Sequence, residues 1–396
     1  MRALRDKLQW YTWIIIVGLL LFSLLCWASN IRLVIIQQLQ RSHKTELERD
    51  AIGEKHINQT KDSLGNKVES FMQLTDDAIK RADTFWCSGI VKKSRLCKID
   101  TILTYFANRQ ISSSQVEKGI NGWLFYKTTI DGNPIADYEG TNCYTDTELA
   151  TMLQETLKIQ SGFNNKGIEF ALCIPPNKET VYSEYMPDKY KRAEMSRTDR
   201  LAEYLEDGGV NVISPKRDLI CNKNDTQLYY TYDTHWNQAG AYIAVCKTLS
   251  GWGIEMPDLS KRKIQEFDLK GHYHYCGNCD LAAMVGLRFI FNDDKEYIVE
   301  GTGKMDWDRY ASEQGSGKIT CFENDRPIVK ATVLLVGDSY RSSMIPALSE
   351  AFSKVYVVHR DCYRPSMIED VKPDYVIAEY VERYSDAIQN ISLLLK

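Results

Sequence analysis

From Gly119 onward the chain alternates short apolar runs with stretches of helix formers, and no other feature restricts the fold as much. The apolar runs are Ile168-Glu169-Phe170-Ala171-Leu172-Cys173-Ile174, Val210-Asn211-Val212-Ile213, the strand at 332–336, Val355-Tyr356-Val357-Val358 and Tyr375-Val376-Ile377-Ala378. Helix signals fall between them. Thr145-Asp146-Thr147-Glu148 is a capping box that opens a helix reaching to about Gln160. A second helix runs from Thr198 to Glu206 and stops at Asp207-Gly208-Gly209, a third from Gln238 to Leu249, and a fourth from Ser342 to Phe352. Near-continuous apolar strands are buried on both faces, and parallel neighbours require a crossover, usually helical. The pattern therefore predicts an α/β fold, a parallel sheet sandwiched by helices. Sites in such sheets form beyond the carboxyl ends of the strands.

The first third reads differently. Leu8 to Ile31 holds 24 consecutive uncharged positions, with Trp10, Tyr11 and Trp13 at one end and Trp27 at the other. At about 1.5 Å per residue this spans a hydrocarbon core of roughly 30 Å. Arg2, Arg5 and Lys7 precede it, which orients the N-terminus to the cytoplasm. A cleaved signal peptide is the alternative, but Cys26-Trp27-Ala28-Ser29-Asn30 is a poor cleavage site. The expectation is a cytoplasmic leader at 1–7, an N-terminal transmembrane helix at 8–31 and a helical stalk or cap at 32–110. The catalytic domain then occupies 111–396, with an insertion or lid at about 266–330 and its body on the extracytoplasmic face of the membrane.

A net charge of −4 with no basic stripe argues against nucleic acid as a partner. Ten of the 11 cysteines lie beyond the apolar run, where an oxidising compartment permits pairing, Cys87 with Cys97 for example. Cys276-Gly277-Asn278-Cys279 has the spacing of a zinc half-site, with His272 and His274 nearby. It is too lopsided for a structural zinc site, so a local disulfide or free thiols are expected, and no metal or cofactor.

Two motifs carry chemistry. Gly337-Asp338-Ser339-Tyr340 follows the strand Val333-Leu334-Leu335-Val336 and precedes a helix, so the Ser339 hydroxyl stands on a strand-to-helix turn. Backbone N–H groups at Ser339 and Tyr340 are the candidate oxyanion donors there. Asp233-Thr234-His235-Trp236 supplies a general base in His235 and a carboxylate, Asp233, to fix its tautomer. Either motif alone also serves as an ordinary turn or cap; the pair points to acyl transfer through a Ser-His-Asp triad. Asn177 and Lys178, in Pro175-Pro176-Asn177-Lys178, are candidates to line the site, against a solvated loop. Trp236, Tyr340 and Trp123 are candidate sugar-stacking surfaces, against plain core packing. Glu382 and Arg383 read as a structural ion pair or a further contribution to the site.

Gly119 to Tyr126, Pro175 to Lys178, Asp233 to Trp236 and Gly337 to Tyr340 together resemble the SGNH-hydrolase-like family of alginate and exopolysaccharide O-acetyltransferases. Leu281 to Leu287, after Asp280, is similar to a stretch in the family's Asp-His-His-Trp relatives. Position by position, the resemblance implies Ser339, His235 and Asp233 as the triad. Tyr340 stands where the family usually has Phe, and Thr234 where close relatives have His. The resemblance further implies a polysaccharide acceptor and a membrane-bound O-acyltransferase that exports the acetyl groups. Competing readings are a polysaccharide acetylesterase with the same triad and a non-catalytic scaffold that binds glycan or assembles an export complex.

Overall fold

The computed structural model of the chain describes residues 93–111, 113–270 and 279–395. The expected leader and anchor, Cys87, His272, His274 and Cys276 lie outside the described residues. Among those residues no helix is long and apolar enough to cross a membrane.

Helix α1 (Lys93–Asn108) leads to a hairpin of β1 (Val116–Lys118) and β2 (Leu124–Tyr126). The hairpin turns at Asn121 and Gly122, both with positive φ, which is why an Asn-Gly pair sits there. The expected capping box forms: Thr145 accepts from the Glu148 N–H, and Glu148 reaches back to the Thr145 N–H, opening α2 (Asp146–Asn164). β3 (Glu169–Cys173) follows, then α3 (Arg197–Asp207), opened by a second such box between Ser196 and Asp199. Next come β4 (Val212–Ile213), α4 (Gln238–Gly251), and an antiparallel ribbon of β5 (Ile264–Asp268) with β6 (Lys295–Val299). β7 (Thr320–Glu323), β8 (Val329–Gly337), α5 (Ile345–Ala351), β9 (Phe352–His359) and β10 (Tyr375–Glu379) complete the domain, closed by a 3-10 segment, Glu382–Leu395.

Six strands form the main sheet in the order β4-β3-β10-β8-β9-β7. The first five are parallel, as expected, but β7 pairs antiparallel with β9, so the sheet is mixed. Only residues 324–328 separate β7 from β8, too few for the crossover that parallel strands need. Side chains alternate between the two faces along each strand. Phe170, Leu172, Leu334, Val336, Val376 and Ala378 pack with Leu149, Met152, Leu201, Leu205 and Ile388 from α2, α3 and the C-terminal segment. Ala171, Cys173, Val333, Leu335 and Ile377 pack with Tyr242, Val245, Ile345 and Leu348 from α4 and α5. Helices therefore cover both faces.

The expected helix from Ser342 to Phe352 is shorter and later. Residues Ser339–Met344 form a 3-10 turn, α5 starts at Ile345 with Pro346 in its first turn, and Phe352 already belongs to β9. Pro has no N–H to give a preceding turn, so it suits a helix start.

Candidate active site

β8 delivers its last residue, Gly337, to the carboxyl edge of the sheet, and the next two residues build the nucleophile turn. Asp338 is buried and its two oxygens accept the N–H groups of Tyr340 (3.0 Å) and Val381 (2.8 Å). Ser339, half-buried, opens the 3-10 turn. Asp233 and His235 come from the loop before α4, which is closed by a bridge between Tyr229 and Trp236 and ends where Asn237 caps the Gly240 N–H at 3.0 Å.

The two loops meet. His235 Nε2 lies 2.7 Å from Ser339 Oγ, and its Nδ1 lies 2.6 Å from Asp233 Oδ1. A carboxylate at Nδ1 fixes the proton there and leaves the Nε2 lone pair to accept the Ser339 hydroxyl. Asp233, 1% exposed, also accepts the N–H groups of His235 (3.1 Å) and Asp280 (2.9 Å). Asp280 in turn holds Thr234, accepting from its N–H at 2.8 Å and its hydroxyl at 2.7 Å, and stands 3.8 Å from His235 Nδ1. Asp233, His235 and Asp280 are a cluster of the size a metal ion needs. Here both imidazole nitrogens and all four carboxylate oxygens already have partners within the loop and with Ser339, which is the arrangement of a proton relay.

Burial alone would lower the pKa of His235, but the Asp233 charge and hydrogen bond, with Asp280 behind, outweigh it and raise the imidazole above 6.5. Burial works the other way on Asp233, and the His235 charge and hydrogen bond overcome it, so its pKa is lowered. Asp280, half-buried beside Asp233, is pushed up to about 6 by desolvation and by the Asp233 charge. A general base must be neutral, so kcat/KM should fall as pH drops through the raised His235 pKa. Replacing Asp280 with Asn removes a negative charge next to the imidazolium and should move that acid limb to lower pH. A limb that stays put or moves upward would remove Asp280 from the relay.

The other site residues expected from the sequence lie nearby, but in different roles. Trp236 and Tyr340 are both 0% exposed, so neither presents a ring face to a sugar. Trp236 Nε1 donates to the Tyr340 carbonyl at 2.9 Å, while the Tyr340 hydroxyl donates to the Thr234 carbonyl. They brace the two catalytic loops against each other. Trp123 is buried in a stack with Tyr182 and Tyr185, at 4.5 and 4.7 Å between centroids. The Tyr340 N–H is already committed to Asp338, so of the two candidate oxyanion donors the Ser339 N–H is the one that stays a candidate.

Lys178 is no solvated loop residue: it is 1% exposed, and its ammonium donates to the carbonyls of Tyr230 and Thr231 (3.2 Å each) and Asp233 (2.6 Å). Trp123 and Phe125 flank it at 5.7 and 5.3 Å from their ring centroids. It therefore folds the loop that carries the dyad. Asn177 is fully buried, its N–H on Glu382 (2.8 Å) and its amide on Asp137 (3.1 Å). Glu382 and Arg383 do not serve each other. Glu382 also accepts the hydroxyls of Thr180 (2.8 Å) and Thr198 (2.5 Å), whereas the Arg383 guanidinium lies over Tyr340 and Tyr384, at 5.2 and 4.9 Å. Sequence reading missed Asp280 as a site residue; its position just before the Leu281–Leu287 stretch was the available signal.

Comparison with known proteins follows the same line. Residues 116–362 match the family described as SGNH hydrolase-like domain, acetyltransferase AlgX. Among solved structures the chain is similar to a DHHW family protein from Eubacterium siraeum, at 18% identity and a TM-score of 0.47, covering 72% of this chain and 98% of that one. It is also similar to PatB1 of Bacillus cereus, at 14% identity and a TM-score of 0.47 over 70% and 98% of the two chains. The O-acetyltransferase domain of Pseudomonas putida AlgJ is 16% identical, with a TM-score of 0.43 over 70% and 99%. No curated protein sequence matches the chain. Because the family match covers well over half of the 396 residues, the chain belongs to the SGNH-hydrolase-like AlgX acetyltransferase family and is an acyltransferase.

Proposed function

We propose that the protein moves acetyl groups onto hydroxyls of a cell-surface or secreted polysaccharide, through an acetyl-enzyme on Ser339. The relay of 2.7 and 2.6 Å from Ser339 through His235 to Asp233 carries this reading. Ser339 Oγ attacks the acetyl carbonyl of a donor while His235 Nε2 takes its proton, and the Ser339 N–H supports the oxyanion. His235 then returns that proton to the leaving group. In the second half a sugar hydroxyl gives its proton to His235 and attacks acetyl-Ser339, and the imidazolium reprotonates Ser339 Oγ as it leaves.

The reading extends to the setting. Residues 8–31 would anchor the domain on the extracytoplasmic face of the membrane, beside a membrane-bound O-acyltransferase that delivers the acetyl groups. Hydrolysis needs the same residues, so an esterase is the rival activity. The test supplies an activated acetyl ester together with a neutral or an acidic oligosaccharide, and measures acetylated sugar against free acetate. Acetylated sugar as the main product supports transfer. Acetate alone, at every acceptor concentration, makes the protein a deacetylating esterase.

A further inference from the structure

Beneath the nucleophile turn lies a buried acid that the reaction above does not use. Glu379 is the last residue of β10, in register with Gly337 of β8 on one side and Cys173 of β3 on the other. It is 0% exposed, and no N–H or O–H donor among the described residues reaches either of its carboxyl oxygens. Room for it is made at Gly337, where an added Cβ would lie 2.4 Å from Glu379 Oε2. Its acidic neighbour is Asp338, the residue after Gly337 and within side-chain hydrogen-bond reach of Glu379, itself buried and already holding the N–H groups of Tyr340 and Val381.

Two carboxyl groups buried side by side cannot both ionise, and they attract only when one keeps its proton. We propose that Glu379 is a positioning residue for acyl transfer, a neutral carboxylic acid that donates a hydrogen bond to the Asp338 carboxylate and so fixes the turn carrying Ser339. This rests on the functional reading given above. Both Asp338 oxygens already accept backbone N–H groups, so the hydrogen bond between the two acids runs from Glu379 to Asp338. Burial first, and then the Asp338 charge, push the Glu379 pKa up, with Arg341 and Arg360 the cations that oppose this. The geometry makes the pair a brace. Asp338 joins the end of β8 to Val381 beyond β10, and Glu379, in register with Gly337, would hold Asp338 from the last residue of β10.

Infrared spectroscopy of the full chain and of its Glu379→Gln variant at pH 8 tests the protonation state directly. The difference spectrum should show the carbonyl stretch of one protonated carboxyl, shifted in deuterium oxide. No such band overturns the proposal. Glutamine keeps a donor to Asp338, so Glu379→Gln should retain kcat within about threefold. Glu379→Leu removes the donor and should lower kcat roughly ten- to a hundredfold at unchanged KM, the scale of a small misplacement of a reacting group. A leucine variant as active as wild type, or a glutamine variant as impaired as leucine, would also overturn it. If wild type itself transfers no acetyl group, the functional reading fails, and the infrared band still decides the fate of Glu379.

Discussion

Ser339→Ala should abolish both acetyl transfer and esterase activity on a chromogenic acetate, by about three orders of magnitude or more, while leaving the thermal transition nearly unchanged. The loss is large because, among the described residues, Ser339 Oγ is the nucleophile that His235 Nε2 reaches. The fold survives because, among the described residues, the Ser339 hydroxyl bonds only to His235, whereas the turn is held by Asp338 on the Tyr340 and Val381 N–H groups. Activity within tenfold of wild type would rule out Ser339 as the nucleophile. Mass spectrometry of the intact chain after brief exposure to an activated acetate gives an independent check, since an acetyl adduct should appear on wild type and not on the variant.

Asp233→Asn should produce the second large loss, roughly a thousandfold or more in kcat with little change in KM. An amide in place of the carboxylate offers an N–H to His235 Nδ1. It therefore favours the tautomer whose Nε2 carries a proton and cannot accept one from Ser339. Asp338 is the competing candidate for the acid of the triad, because it adjoins the nucleophile in sequence. Its carboxylate is spent on two backbone N–H groups on the far side of the turn, so Asp338→Asn should cost stability, about 1–3 kcal/mol, more than it costs catalysis. The two Asn variants, compared at matched folding stability, decide the matter. A silent Asp233→Asn beside an inactive Asp338→Asn would mean that the Asp-x-His dyad is wrong.

Much of this architecture was legible in the chain. Parallel strands buried on both faces write themselves as apolar runs, and the Thr145–Glu148 capping box fixes where α2 begins. The relay was legible as well, because Asp-x-His spacing and a Ser after a strand are local patterns. What the sequence hid is what depends on the partner across a gap. Thr320-Cys321-Phe322-Glu323 gives no hint that it will close the sheet edge against β9, since no helix separates it from β8. Asp280 lies 47 residues from Asp233, and no local pattern ties it to the dyad. Trp236, Tyr340 and Lys178 were credited with substrate because they flank the chemistry. Lys178 is covered by Trp123, and Tyr340 by Tyr229 and Arg383, each from another part of the chain.

The cross-bracing of Trp236 and Tyr340 bears on how such a protein diversifies. Among the described residues, Trp236 and Tyr340 are consumed in tying the base loop to the nucleophile turn, so neither ring is left to discriminate one acceptor from another. On the function proposed above, the choice of acceptor would then fall to side chains farther out on the surface, which mutation can exchange without disturbing the hydrogen bonds among Ser339, His235 and Asp233. Reaction and recognition would in this way be inherited separately. On the proposed function, a lineage built on this plan would be free to change its acceptor while its catalytic geometry stands still.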